Sequence, residues 1–184
     1  MENILRGLNV YLIGMMGSGK STVGKLLAEK LNYRFVDTDS IIETVTKKTI
    51  NQIFAEEGEA NFRDLESDVL RQVSAYLRTV VATGGGMILR QDNWSHLLDG
   101  MVVWLNVPLE VLVKRLEADD TRPLLHQENL TEKLTQLFAQ REYLYKQADI
   151  CLTIDDRATP EDIVTNLLQE IPYHIKPKFN PDLN

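Results

Sequence analysis

The stretch Gly14-Met15-Met16-Gly17-Ser18-Gly19-Lys20-Ser21-Thr22 fits the pattern GxxxxGK[ST]. It stands between an apolar run, Leu8 to Ile13, and a segment of helical spacing carrying Val23, Leu26, Leu27 and Leu31. Glycines let the backbone curl so that successive N–H groups face a phosphate, and the helix that follows adds its positive N-terminal end. In that setting Gly17, Ser18, Gly19, Lys20, Ser21 and Thr22 are placed to hold a nucleotide triphosphate. Lys20 reaches the β- and γ-phosphates, and the Ser21 hydroxyl is suited to ligate Mg²⁺. A glycine-rich turn with no ligand rarely joins a strand to a helix with these letters in this order.

Working outward, five strand-length apolar runs are expected: Leu8 to Ile13, Arg34 to Val36, Thr79 to Ala82, Met101 to Leu105 and Ile150 to Ile154. Helical patterns separate them, as in Leu65, Val69, Leu70 and Val73. Strands alternating with helices imply crossover units and a mostly parallel sheet covered on both faces. No repeat or interior linker interrupts the pattern. Pro172, Pro177 and Pro181 argue against a further helix in the tail.

Composition agrees with one ordinary domain. The 184 residues are 43% hydrophobic and 26% charged, and 20 Lys+Arg against 27 Asp+Glu give a net charge of −7. An acidic chain is poorly suited to nucleic acid, whose affinity comes mainly from neutralised phosphates. Cys151, the single cysteine, closes no intrachain disulfide and is expected to be a buried, inert thiol. Met1 to Leu8 holds no apolar stretch long enough for a signal peptide, and no run is long enough to span a bilayer, so a cytoplasmic location is expected.

The motifs N-K-x-D and D-x-x-G of guanine-nucleotide switches are absent, and Val102-Val103-Trp104-Leu105 ends in Asn106 rather than an acid. The second strand instead runs into Asp37-Thr38-Asp39. Residues two apart on an extended chain project to one side, so both carboxylates are expected in one crevice at the C-terminal sheet edge. Ser40-Ile41-Ile42-Glu43 reads as the capping box of the next helix, which leaves Asp39 available. Asp37 is then the Mg²⁺ partner, through water, and Asp39 the holder of an acceptor hydroxyl. Arg63 and Glu66, three apart, read as an ion pair on one helical face. Gly84-Gly85-Gly86, directly after a strand, exposes backbone N–H groups and lets a ligand approach closely.

The ordered set GMMGSGKST, Asp37-Thr38-Asp39, Phe62-Arg63-Asp64-Leu65-Glu66, Gly84-Gly85-Gly86, Thr121-Arg122-Pro123-Leu124-Leu125 and Arg141-Glu142-Tyr143-Leu144-Tyr145 resembles the shikimate kinase family. The likeness covers about residues 8 to 170. It implies a three-layer α/β P-loop NTPase fold, like that of nucleoside monophosphate kinases. This fold has a five-stranded parallel sheet, helices on both faces, a lid and a helical insertion that binds the acceptor. It also implies transfer of the ATP γ-phosphoryl group to the 3-hydroxyl of shikimate on the route to chorismate and the aromatic amino acids, by a monomer.

By the same resemblance Asp39, Arg63 and the Gly84, Gly85 and Gly86 backbone bind shikimate, while Arg141 reaches its carboxylate beside Arg63. Phe54, Phe62 and Glu66 shape the pocket. Shikimate is a small anion with three hydroxyls, and two arginine forks with one carboxylate acceptor suit it chemically. Without the resemblance, Arg141 reads as a solvated helix-face residue.

Residues 117 to 129 break the helical pattern, and Arg122, set before Pro123, favours an extended stretch. The resemblance makes this segment the lid, with Arg122 on the transferring phosphoryl group. Arg115 then corresponds to an adenine-stacking arginine, and Asp155-Asp156-Arg157-Ala158-Thr159-Pro160 to a loop beside adenine. The histidines His96, His126 and His174 have no metal-ligand spacing and read as surface residues. The expected organisation is one kinase domain over 1–171, an acceptor-binding insertion over about 38–66, a lid over about 117–129 and a tail over 172–184. The competing expectations are a gluconate kinase-like enzyme of the same fold and a nucleotide-binding module without phosphotransfer.

Overall fold

A computed structural model describes residues 5–118 and 129–175. The strands are β1 (Val10–Ile13), β2 (Arg34–Asp37), β3 (Thr79–Ala82), β4 (Met101–Asn106) and β5 (Ile150–Thr153). The helices are α1 (Lys20–Leu31), α2 (Thr38–Thr46), α3 (Ile50–Ser74), α4 (Gln91–Leu97), α5 (Leu109–Glu117), α6 (Leu130–Tyr145) and α7 (Pro160–Glu170). Short 3₁₀ turns occupy Met87–Leu89 and Ile171–Tyr173. The sheet order is β2-β3-β1-β4-β5, with every pair parallel. Leu12 of β1 lies beside Ala82 of β3 and Val103 of β4.

All residues of β1 and β3 are buried. Because successive strand side chains point to opposite faces, burial of every one means that helices cover both sides. The expected α/β architecture and strand number are therefore observed, with ends moved by a residue or two. The first strand starts at Val10 rather than Leu8, and the second and fourth extend to Asp37 and Asn106.

Cys151 departs from expectation. It lies on β5, an edge strand, and is exposed rather than buried. What burial its sulfur has still pushes the thiol pKa up, against a hydrogen bond from Asn106 that pulls it down. In the tail, Pro172 sits in the first turn of a 3₁₀ helix, where its missing N–H costs nothing.

The start of α2 also differs. Its N-cap is Asp37, not Ser40: Asp37 Oδ1 accepts from the backbone N–H of Asp39 at 3.1 Å and of Ser40 at 3.3 Å. The strand ends at Asp37, so Asp39 lies on a helical turn and the extended-chain argument for its direction does not hold. Glu43 does not close a box on Ser40; its Oε1 accepts from the Ile50 N–H at 2.9 Å and ties α2 to the start of α3. The reciprocal capping box sits instead at Thr49 and Gln52. Within α3, Gly58 has φ 82 and ψ 169, a break that glycine adopts without a Cβ penalty. The interval 38–66 thus holds α2 and most of α3, bent at Gly58.

Candidate active site

The phosphate loop runs from the buried end of β1 into α1. Gly14, Gly17 and Gly19 have φ of 145, 78 and 89, conformations that require glycine. Lys20 Nζ donates to the carbonyls of Gly14 at 2.9 Å and Met15 at 2.8 Å, and to Ser18 Oγ at 3.3 Å. Its ammonium is thereby held at the loop. Ser21 Oγ donates to Asp37 Oδ2 at 2.5 Å, so the hydroxyl and the carboxylate named for Mg²⁺ stand together at the N-terminus of α1. Both are hard oxygen donors, which suits Mg²⁺. Arg115, on α5, donates from Nη1 to the Gly17 carbonyl at 3.3 Å.

The second half of the site gathers on Gly84-Gly85-Gly86, directly beyond β3. A Cβ at Gly84 would stand 2.6 Å from both Asp39 Oδ1 and Glu66 Oε1, so two carboxylates converge on that backbone. The Gly84 N–H donates to Thr38 Oγ1 at 2.9 Å, which fixes the loop to the first turn of α2. Arg141, on α6, donates from Nη1 to the Gly85 carbonyl at 3.1 Å. It is only 7% exposed, so it is not a solvated face residue. Sequence spacing could not show this, because the partner is 56 residues away.

Arg63 reaches the same loop from α3. Its Nη1 is 2.6 Å from Glu66 Oε2 and its Nη2 is 2.9 Å from Glu59 Oε1. Its guanidinium carbon lies 5.3 Å from the Phe62 ring centre and 5.9 Å from that of Phe54, and the two rings are 4.7 Å apart. Phe54 and Phe62 thus form an aromatic side to this cation. The Arg63–Glu66 pair is not a surface bridge, since Glu66 is 1% exposed. Burial pushes the Glu66 carboxyl above its ordinary range; Arg63 pulls it down without cancelling that, and Asp39 adds to the rise. Burial works against the charge on Arg63, but Glu66 and Glu59 together hold its pKa above the arginine norm. Glu66 Oε1 and Arg63 Nε have no hydrogen-bond partner among the described residues.

A family model described as shikimate kinase matches residues 16–172. The chain belongs to the shikimate kinase family. Relatives named shikimate kinase include one from Microcystis aeruginosa, 54% identical over 180 residues, 98% of this chain and 94% of that protein. Another, from Nostoc punctiforme, is 52% identical over 178 residues, 97% of this chain and 98% of that protein. The solved shikimate kinase from Acinetobacter baumannii, in complex with shikimate, superposes with a TM-score of 0.84 at 40% identity, covering 89% of this chain and 92% of that one. Membership makes the protein an ATP-dependent kinase with a P-loop, a transferase.

Arg157 is not joined to the other site residues. It is exposed in the turn before α7, its backbone N–H bonded to Asp155 Oδ1 at 2.9 Å, and among the described residues no hydrogen bond or ion pair connects its side chain to the phosphate loop. Arg122 and His126, with most of the expected lid, lie outside the described residues. His96 faces Ser74 Oγ at 3.2 Å. No helix among the described residues is long and apolar enough to cross a membrane. Sequence reasoning in this shikimate kinase family member missed Thr38 and Glu59. Thr38 was legible only as the middle letter of Asp37-Thr38-Asp39, and Glu59 through its i,i+4 spacing to Arg63.

Proposed function

We propose that this kinase transfers the γ-phosphoryl group of ATP to the 3-hydroxyl of shikimate, giving shikimate 3-phosphate and ADP, on the route to chorismate and the aromatic amino acids. The observation that carries this is the convergence of Arg63, Arg141, Glu66 and Asp39 on Gly84-Gly85-Gly86, across from a phosphate loop. A small hydroxylated anion requires this combination: guanidinium forks for its carboxylate and a carboxylate acceptor for its hydroxyls. The Acinetobacter baumannii relative, solved with shikimate, supports the same acceptor.

In the transfer, Gly17, Ser18, Gly19, Lys20, Ser21 and Thr22 hold the phosphates of ATP, and Arg115 flanks the loop on the nucleotide side. Arg122, from the lid, joins Lys20 in balancing charge on the transferring group, and Arg157 serves the adenine end. Ser21 and Asp37 would hold Mg²⁺, which when bound neutralises charge on the phosphate oxygens. Asp39 orients the acceptor hydroxyl. In a loose transition state the attacking oxygen keeps its proton until late, so orientation contributes more than early deprotonation. Arg63 and Arg141 fix the shikimate carboxylate, with Phe54, Phe62 and Glu66 shaping its pocket. The protein acts as a cytoplasmic monomer of one domain, its acceptor site drawn from the insertion, the Gly84-Gly85-Gly86 loop and α6.

The test is ADP release with ATP and Mg²⁺, with shikimate or gluconate as acceptor, and mass analysis of the phosphorylated product. Shikimate 3-phosphate formed in step with ADP supports the proposal. Turnover on gluconate alone, or no phosphorylated acceptor, refutes it.

A further inference from the structure

The Arg63 guanidinium already holds two carboxylates of its own chain. Nη1 is 2.6 Å from Glu66 Oε2, and Nη2 is 2.9 Å from Glu59 Oε1. Nε is buried and has no hydrogen-bond partner among the described residues. A buried donor without an acceptor is costly, so Nε marks a place where an acceptor atom belongs.

A guanidinium meets a carboxylate with two parallel N–H bonds along one of its edges. The end edge joins Nη1 to Nη2, and the side edge joins Nε to Nη2. At the end edge stands Glu66, which is 1% exposed and enclosed against Gly84, so it cannot turn away to water. At the side edge Nη2 is held by Glu59, whose side chain is 64% exposed. Glu59 directly follows the break at Gly58, at the start of a fresh helical run where a carboxylate is favoured by the helix dipole. It can therefore leave Arg63 at little cost.

The plain reading of Glu59 and Arg63 is an i,i+4 pair on a helix surface, which stabilises weakly. That reading does not suit the arginine. Its side chain is 14% exposed, and its guanidinium lies against Gly86 rather than in solvent.

We propose that Glu59 is a place-holder for the carboxylate of the acceptor, which displaces it and takes Nε and Nη2 of Arg63 side-on. The exchange leaves two carboxylates on the guanidinium before and after, and it gives Nε its partner. Glu59 thereby sets the acceptor's affinity, because binding is reduced to the fraction of molecules in which Nη2 has been released. The inference deepens the shikimate reading of this site and rests on it.

The experiment measures the shikimate Kd by calorimetry, with kcat and KM, in the unsubstituted chain, Glu59→Ala, Glu59→Gln and Glu56→Gln. Glu56 is the control, an acid of the same helix paired to Lys48 at 2.8 Å. Glu59→Ala should tighten shikimate about threefold or more and lower its KM to match, while kcat and the KM for ATP change by less than about twofold. Glu59→Gln, which keeps a neutral acceptor, should fall between Glu59→Ala and the parent, and Glu56→Gln should match the parent. In the unsubstituted chain the ¹⁵N–¹H resonance of Arg63 Nε, identified by its loss in Arg63→Lys, should move when shikimate saturates the site. A Kd unchanged or weakened in Glu59→Ala overturns the inference, as does equal tightening in Glu56→Gln or an Nε resonance that stays in place. If the unsubstituted chain turns over shikimate normally, those results overturn this inference alone. If that chain neither binds nor phosphorylates shikimate, the acceptor assignment falls and this inference with it.

Discussion

The Arg63 guanidinium lies so close to Gly86 that a Cβ on the glycine would come within 1.8 Å of Nη1 and 2.3 Å of the guanidinium carbon. The contact is with the far end of a flexible side chain, so Gly86→Ala is expected to displace Arg63 rather than unfold the chain. The KM for shikimate should rise by about tenfold or more as the fork loses its seat, while the melting temperature falls only slightly. Steady-state kinetics with a thermal melt checks this. A KM that stays put would show that Arg63 is not held by this contact.

Glu66 gives a pH signature. Burial raises its folded pKa above the ordinary 4.5. Its contribution to stability is therefore fully present below the unfolded value and is lost as pH rises through the raised folded value. Glu66→Gln abolishes that dependence, so the variant should gain stability relative to the parent as pH rises from about 4 toward 7. Parallel stability curves over that range would contradict it. The same variant should bind shikimate less tightly, because Arg63 loses its carboxyl partner at 2.6 Å.

Asp39→Asn keeps the size of the side chain and removes its charge. Phosphorylation of shikimate should fall by about 100-fold or more while ATP binding survives, since the role proposed for the carboxylate is on the acceptor side. Near-normal turnover would remove Asp39 from that role.

Lys20→Met removes the ammonium that spans the Gly14 and Met15 carbonyls. Transfer should drop by about 1,000-fold, with the fold intact by circular dichroism. Residual activity above about a tenth of the parent's would mean that charge balance at the transferring group lies elsewhere.

Arg141→Lys retains charge but loses the fork. Because the fork binds Gly85 and is the proposed clamp on the shikimate carboxylate, the KM for shikimate should rise about 10- to 100-fold while the KM for ATP changes by less than about threefold. Equal changes in both would argue for general loosening of α6.

Legibility in the sequence followed the range of the interactions. The phosphate loop is local: nine consecutive residues, Gly14 to Thr22, state the turn, the lysine and the hydroxyl, and the fold has Ser21 and Lys20 where that spacing requires. The parallel sheet was legible too, because β1, β3 and β4 are apolar runs buried on both faces. The start of α2 was misjudged although it is local. Asp37 and Ser40 are both good caps, and the choice depends on where the strand stops. That point is set by pairing with β3, where Asp37 aligns with Ala82.

The sequence by itself determined a P-loop kinase domain and, through its ordered motifs, the shikimate kinase family. Only the tertiary structure decided how the acceptor half is assembled. Asp39 and Glu66 converge on Gly84, Arg141 is buried against Gly85, and the Tyr145 hydroxyl meets Met15 across 130 positions of chain. The physical reason is that hydrogen bonds and burial act over a few ångströms of space. Helical and strand periodicity record which side of its own element a residue occupies, not which distant backbone that side will meet.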